Sequence, residues 1–185
     1  DMTELNGAEI EGPYRYRLWR NIPEANVAGS GIHSVKTVLW IMLNPSTADA
    51  TENDPTIRKV MGFSMRWGFK QARIVNLCAL RSTDPKGLVT STIDPVGPKN
   101  FRVIEEELNS AYRVVLAWGA NAKPSCKAAY DAAFVVKDLV SSHPRVVDGS
   151  VSVVTLGQCI NGAPKHPLML AYSTPVTFIS KRTAS

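Results

Sequence analysis

Four short apolar runs, separated by stretches of helical spacing, limit what this chain can fold into more than any other feature. Val38 to Leu43, Ile74 to Leu80, Tyr112 to Ala117 and Val151 to Leu156 are largely apolar, as expected of strands covered on both faces. Ile57, Val60 and Met61 fall at helical spacing in the first gap, Phe101, Ile104 and Leu108 in the second, and Ala128, Ala132, Val135 and Leu139 in the third. Asp54-Pro55 opens the first of these helices, with aspartate as cap and proline at the first helical position, and Gly68 ends it. Strands alternating with helices in this way predict an α/β domain of three layers, with a central, mainly parallel sheet and helices on both faces.

The flanks are less regular. Tyr14-Arg15-Tyr16-Arg17-Leu18 alternates with period two and reads as a strand with one solvated face. Gly29-Ser30-Gly31 is a turn, Asp84-Pro85 and Asp94-Pro95 punctuate a loop from Arg81 to Pro98, and Pro175 to Ile179 reads as a late edge strand or an extended tail. The expectation is one domain over residues 1–185: a loosely ordered start at 1–11, an N-terminal strand extension at 12–37 and a core at 38–170. A content of 44% apolar residues can supply that core.

No run of about 18 apolar residues suggests a membrane span, and the first residues lack the apolar core of a signal peptide. Cys78, Cys126 and Cys159 are odd in number and far apart, so they suggest neither a disulfide framework nor a zinc site. They read as small side chains in a reducing cytoplasm. No metal and no cofactor is expected, and the chain is expected to be a monomer. A net charge of +5 mildly favours a polyanionic partner.

Ligands of open α/β sheets bind beyond the carboxyl ends of the strands, which directs attention to Asn44, Asn76 and His166. Asn44, in Leu43-Asn44-Pro45-Ser46, either satisfies backbone groups in a tight turn or positions a water or substrate atom. Asn76, flanked by Ile74-Val75 and Leu77, carries an amide that must find partners or cost roughly 1–3 kcal/mol; it either ties loops together or waits for a ligand presenting a donor beside an acceptor. His166 follows a loop at a strand end, where a neutral imidazole can donate to an oxygen gaining negative charge; His33 and His143 read as structural. Asp54 is accounted for by its cap. Asp49 is not, and is either a solvated loop carboxylate or a general base. Trp118 is a core residue or a pocket wall. Arg15 and Arg17 read as one strand face, solvated or touching phosphates, and Arg81 as a phosphate contact just after a strand. Neither a P-loop, a dinucleotide fingerprint nor a nucleophile elbow is present.

These motifs resemble the uracil-DNA glycosylase superfamily. Met42-Leu43-Asn44-Pro45-Ser46 is similar to its first motif, Ile74-Val75-Asn76-Leu77 to its base-reading strand, Leu116-Ala117-Trp118-Gly119-Ala120 to its third strand, and Lys165-His166-Pro167-Leu168 to its last motif. The whole chain more closely resembles an uncharacterised family of bacteria, archaea and phages. Leu43 to Asp49 and Asp54-Pro55-Thr56 fit that family's signature. The departures from the glycosylases are the absence of a glycine before Asn44-Pro45 and Leu168 in place of the serine of the last motif.

The resemblance implies a glycosylase-like fold and hydrolysis of the N-glycosidic bond of a uracil-like or modified base flipped out of DNA. It implies Asn76 reading the base, with Pro45, Ser46 and Trp118 beside it. His166 would stabilise the leaving base, Asn44 and Asp49 would hold the attacking water, and Arg81, Lys165, Arg15 and Arg17 would contact DNA. Two alternatives remain open at this point: an enzyme of free nucleotides or modified bases in a phage or mobile element, and a module that binds modified DNA without cutting it.

Overall fold

The computed structural model describes residues 6–23, 36–46, 48 and 51–179. In chain order the elements are β1 (Gly7–Glu11), β2 (Tyr14–Asn21), β3 (Thr37–Met42), α1 (Pro55–Arg66), β4 (Gln71–Asn76), a short α2 (Gly87–Thr90), α3 (Asn100–Leu108), β5 (Arg113–Leu116), α4 (Lys127–Ser142), a short α5 (Pro144–Val147), β6 (Ser152–Thr155) and β7 (Thr177–Phe178). The turn expected at residues 29–31, and Asp49 and His33, lie outside the described residues.

All seven strands form one sheet in the order β1-β2-β4-β3-β5-β6-β7. β4, β3, β5 and β6 run parallel to their neighbours. At the margins β1 pairs with β2, β2 with β4 and β7 with β6, all antiparallel. The sheet is therefore mixed rather than mainly parallel. Antiparallel neighbours need no helical crossover, so the segments flanking the alternating core extend the sheet at both edges. Part of the expected loose start belongs to it: Gly7–Glu11 is paired along its length with β2.

The continuous apolar runs exist because the sheet carries a hydrophobic cluster on each side. Leu39 and Ile41 of β3 pack with Val103 and Ile104 of α3 and with Ala129 and Val136 of α4. Val38, Trp40 and Met42 pack on the other side with Ile57, Val60 and Phe63 of α1. Trp40 is fully buried, and its indole N–H donates to Ser64 Oγ at 3.1 Å, which satisfies its one polar atom. α1 starts as its sequence requires: the Asp54 carboxylate accepts from the Ile57 backbone N–H at 2.8 Å and Pro55 stands at the start of the helix. His143 is structural, its ring Nδ1 accepting from the Arg145 backbone N–H at the start of α5.

The alternation in β2 departs from the expected single arginine face. The register against β1 slips between Glu9 and Ile10, which face Arg17 and Arg15 respectively. Such a bulge re-aims the side chains beyond it. Tyr16 packs with the α3 and α4 cluster, and Arg17 pairs with Glu107 of α3 at 2.8 Å and with Glu9. Arg15 instead is buried and donates to the Ala48 carbonyl. Glu107, 1% exposed, also bonds Arg73 of β4, so Arg17 and Arg73 serve to fasten α3 to the sheet.

Candidate functional site

β3 lies between β4 and β5. The chain leaves β3 through α1 to reach β4 on one side, and leaves β5 through α4 to reach β6 on the other. Connections that diverge from adjacent parallel strands leave a crevice beyond their carboxyl ends. A cavity of about 350 Å³ opens there, within the size range of pockets that enclose a small ligand.

Segments from every quarter of the chain meet in it. Asn44 and Ser46 follow β3, Asp54 and Thr56 open α1, and Asn76 is the last residue of β4. Ser82 and Thr83 come from the next loop, Trp118 to Asn121 follow β5, His166 and Leu168 follow β6, and Arg15 reaches in from β2. Six residues singled out from sequence thus share one cavity: Arg15, Asn44, Ser46, Asn76, Trp118 and His166. Pro45 is buried between the lining residues Asn44 and Ser46, and Arg81 and Lys165 are exposed neighbours of the lining residues Ser82 and His166. Arg17 is not part of it, being held by Glu9 and Glu107. Asp49 lies outside the described residues.

Asn76 is the most unusual member. It is 1% exposed, and its side-chain Nδ2 has no hydrogen-bond partner among the described residues. Its backbone carbonyl is engaged by Asn100 Nδ2 at 2.8 Å, and the same amide reaches Leu77 O at 3.0 Å. Asn100 therefore anchors the end of β4, a role its sequence position at the start of α3 did not announce. Native structures leave few buried donors unpaired, and this one belongs to a residue that lines the cavity.

Asn44 performs the tying role foreseen as one of its two readings. Its Nδ2 donates to Ser82 O at 2.8 Å and Pro45 O at 3.1 Å, and Ser82 N donates to Pro45 O at 2.9 Å. The amide hydrogens are thus spent on backbone carbonyls of the loops beside the cavity.

His166 is positioned by two backbone contacts. Gly119, at φ +76°, donates its N–H to Pro164 O at 2.8 Å, and a Cβ on Gly119 would stand 3.2 Å from His166 Cβ. Glycine at 119 meets both the left-handed backbone and the close approach. The Leu168 backbone N–H donates to His166 Nδ1 at 3.3 Å. An Nδ1 that accepts places the proton of the neutral ring on Nε2, which makes that nitrogen a donor.

Burial pushes the His166 imidazolium below the ordinary 6.5, and the Asp54 carboxylate opposes that shift. Between the native pKa and 6.5 the unfolded chain binds more protons than the native one, so this residue's contribution makes stability fall as pH drops through that window and then level off. An NMR titration of His166 is expected to give a midpoint below 6.5, and His166→Gln to flatten that limb of the stability curve. A midpoint at or above 6.5 would contradict the assignment.

The cap alone does not account for Asp54. One carboxylate oxygen accepts from Ile57 N, yet the side chain also lines the cavity and acts electrostatically on His166. Among the described residues no group of three or more histidines, cysteines or carboxylates could hold a metal ion, and no helix is long and apolar enough to cross a membrane. Cys78 is buried, and burial pushes its thiol up to about 12, far from a reactive thiolate.

A sequence profile of the family described as protein of unknown function (DUF1643) matches residues 15–168. The chain belongs to this family. The matched span includes every residue named above as lining the cavity, from Arg15 to Leu168, so the DUF1643 segment contains the whole site. No curated protein and no solved structure matches the chain.

Proposed function

We propose that this DUF1643 protein receives a nucleobase and its sugar in the cavity and hydrolyses the N-glycosidic bond, in a three-layer arrangement like that of the uracil-DNA glycosylases its motifs resemble. The buried Asn76 Nδ2, without a hydrogen-bond partner among the described residues, on a residue that lines the cavity, is the observation that carries the reading. An amide reads the polar edge of a base with a donor and an acceptor side by side. Trp118 offers an apolar wall to the ring, and hydroxyls from Ser46, Ser82 and Thr83 suit a sugar. A cavity of about 350 Å³ has room for both.

The roles follow from chemistry at each atom. A water held by Asn44 Oδ1 and the Asp54 carboxylate oxygen that does not cap α1 attacks the anomeric carbon. Its proton passes to the Asp54 carboxylate, the bond from carbon to base nitrogen breaks, and the electron pair leaves with the base. His166 Nε2–H donates to the base oxygen on which that charge collects. Asp54 takes the place considered for Asp49, because a carboxylate within reach of the reacting centre is what a general base requires. Arg81 and Lys165, exposed beside the lining, suit phosphates, and the +5 charge favours DNA as the carrier of the base.

The test is release of free base, followed by chromatography and mass spectrometry, from oligonucleotides carrying uracil, hypoxanthine, mismatched thymine and modified pyrimidines. Release from at least one substrate is expected. Asp54→Asn, which keeps a capping side chain, is expected to slow it by about 10²–10⁴-fold with the unfolding midpoint little changed. An absence of release from every substrate by the pure wild-type protein would overturn the enzymatic reading. Binding of oligonucleotides without release would favour the non-catalytic module, and a thermal shift with free nucleotides alone would favour the nucleotide enzyme.

A further inference from the structure

Trp118 is a wall of two cavities. The second has about 250 Å³ and is bounded by Tyr130, Phe134 and Lys137 of α4 and by Asn161 and Gly162 of the loop after β6. Tyr130, Phe134 and Lys137 recur at helical spacing, so they stand on one stripe of α4. Tyr130 and Phe134 meet edge to face with centroids 5.0 Å apart. Phe134 nevertheless stays 57% exposed, an aromatic face offered to solvent at the rim of a hollow.

Lys137 places its Nζ 5.8 Å from the centre of the Trp118 ring. No carboxylate forms an ion pair with it among the described residues. Asn161 Nδ2 donates to Ala120 O at 3.0 Å, which ties the loop after β6 to the loop that lines the first cavity. The two hollows therefore share Trp118 in their linings, and a hydrogen bond ties the loops that border them.

We propose that the second cavity is a subsite for the nucleotide next to the one in the first cavity. Its base stacks on Phe134 and Tyr130 and its phosphate meets Lys137, so the ligand is an unpaired stretch of DNA rather than a mononucleotide. This rests on the reading of the first cavity as a nucleobase site. An exposed aromatic beside a lysine is the combination by which proteins hold single strands: the ring accepts any base face and the cation tracks the backbone. A paired base could not leave its partner to stack there without disrupting the duplex, which makes the subsite selective for unpaired strands.

The test uses 2′-fluoro-substituted single-stranded tetramers of uracil, thymine, cytosine, adenine and guanine, which resist glycosidic hydrolysis, together with the matching mononucleotides. Affinities are read by calorimetry for the wild type, Phe134→Ala, Lys137→Ala and Asn76→Leu. At least one tetramer is expected to bind about tenfold or more tighter than its mononucleotide. Phe134→Ala and Lys137→Ala are each expected to reduce that advantage and leave the mononucleotide affinity unchanged. Equal affinity of tetramer and mononucleotide for the wild type, or a tetramer advantage untouched by Phe134→Ala, overturns the subsite. If Asn76→Leu abolishes binding in either of those cases, the first cavity keeps its assignment. If Asn76→Leu changes neither ligand's affinity, or nothing binds the wild type, the first-cavity reading fails and the subsite falls with it.

Discussion

Asn76→Leu is expected to yield a protein more stable than the wild type that no longer releases base. The buried Asn76 Nδ2 lacks a partner among the described residues, and an unpaired buried donor costs about 1–3 kcal/mol. Leucine has a similar volume and no polar atom, so part of that cost disappears, and urea denaturation is expected to show a gain of about 1 kcal/mol. The backbone carbonyl of residue 76 keeps its bond from Asn100, so the end of β4 stays in place. Function moves the opposite way. A base whose polar edge meets a methyl group loses its hydrogen bonds and keeps its desolvation cost, a mismatch of the kind that separates substrates by up to about 10⁴–10⁵-fold. A loss of at least a hundredfold in kcat/KM is expected. A leucine variant that is destabilised, or that works as well as the wild type, would mean that Asn76 is a structural amide whose partner lies elsewhere.

His166→Ala is expected to lower kcat by about 10²–10³-fold, the usual effect of removing one donor to a developing oxyanion. The residue is half-buried on a loop, and its ring accepts from one backbone N–H. Its truncation leaves the sheet and both hydrophobic clusters intact, so the unfolding midpoint is expected to change little. Since charge builds on the leaving base only as the bond breaks, KM is expected to change less than kcat. His166→Gln, which carries an N–H of its own, is expected to recover part of the loss. An equal loss in the alanine and glutamine variants would point to shape rather than donation. A loss confined to KM would make His166 a binding residue and remove it from the chemistry.

The strand ends were legible because two independent patterns converge on them. Apolar runs at 38–43, 112–117 and 151–156 mark strands, and the residues that follow such runs fall on one edge of the four parallel central strands. Asn44, Trp118 and His166 follow such runs, whereas Asn76 lies inside the expected run from Ile74 to Leu80 and closes a strand because β4 spans Gln71–Asn76. A bulge in β2 is invisible to a period-two pattern, yet it sends Arg15 to the cavity and Arg17 to Glu107. Asp54 was hidden by its own cap, since a carboxylate has a second oxygen that the cap leaves unused. Asn100 gave no local signal, because its partners are backbone carbonyls more than twenty residues away. The mixed edges of the sheet escaped because hairpin and tail strands are short and their partners are chosen by tertiary packing.

A crystal of the protein soaked with uracil and other free pyrimidines tests the central assignment most directly. The account predicts density for a flat ring against Trp118, with its polar edge within about 3 Å of Asn76 Nδ2 and a ring oxygen facing His166 Nε2. An Asn76 amide that bonds a protein group or a fixed water, with the pyrimidine absent or seated elsewhere, would contradict it.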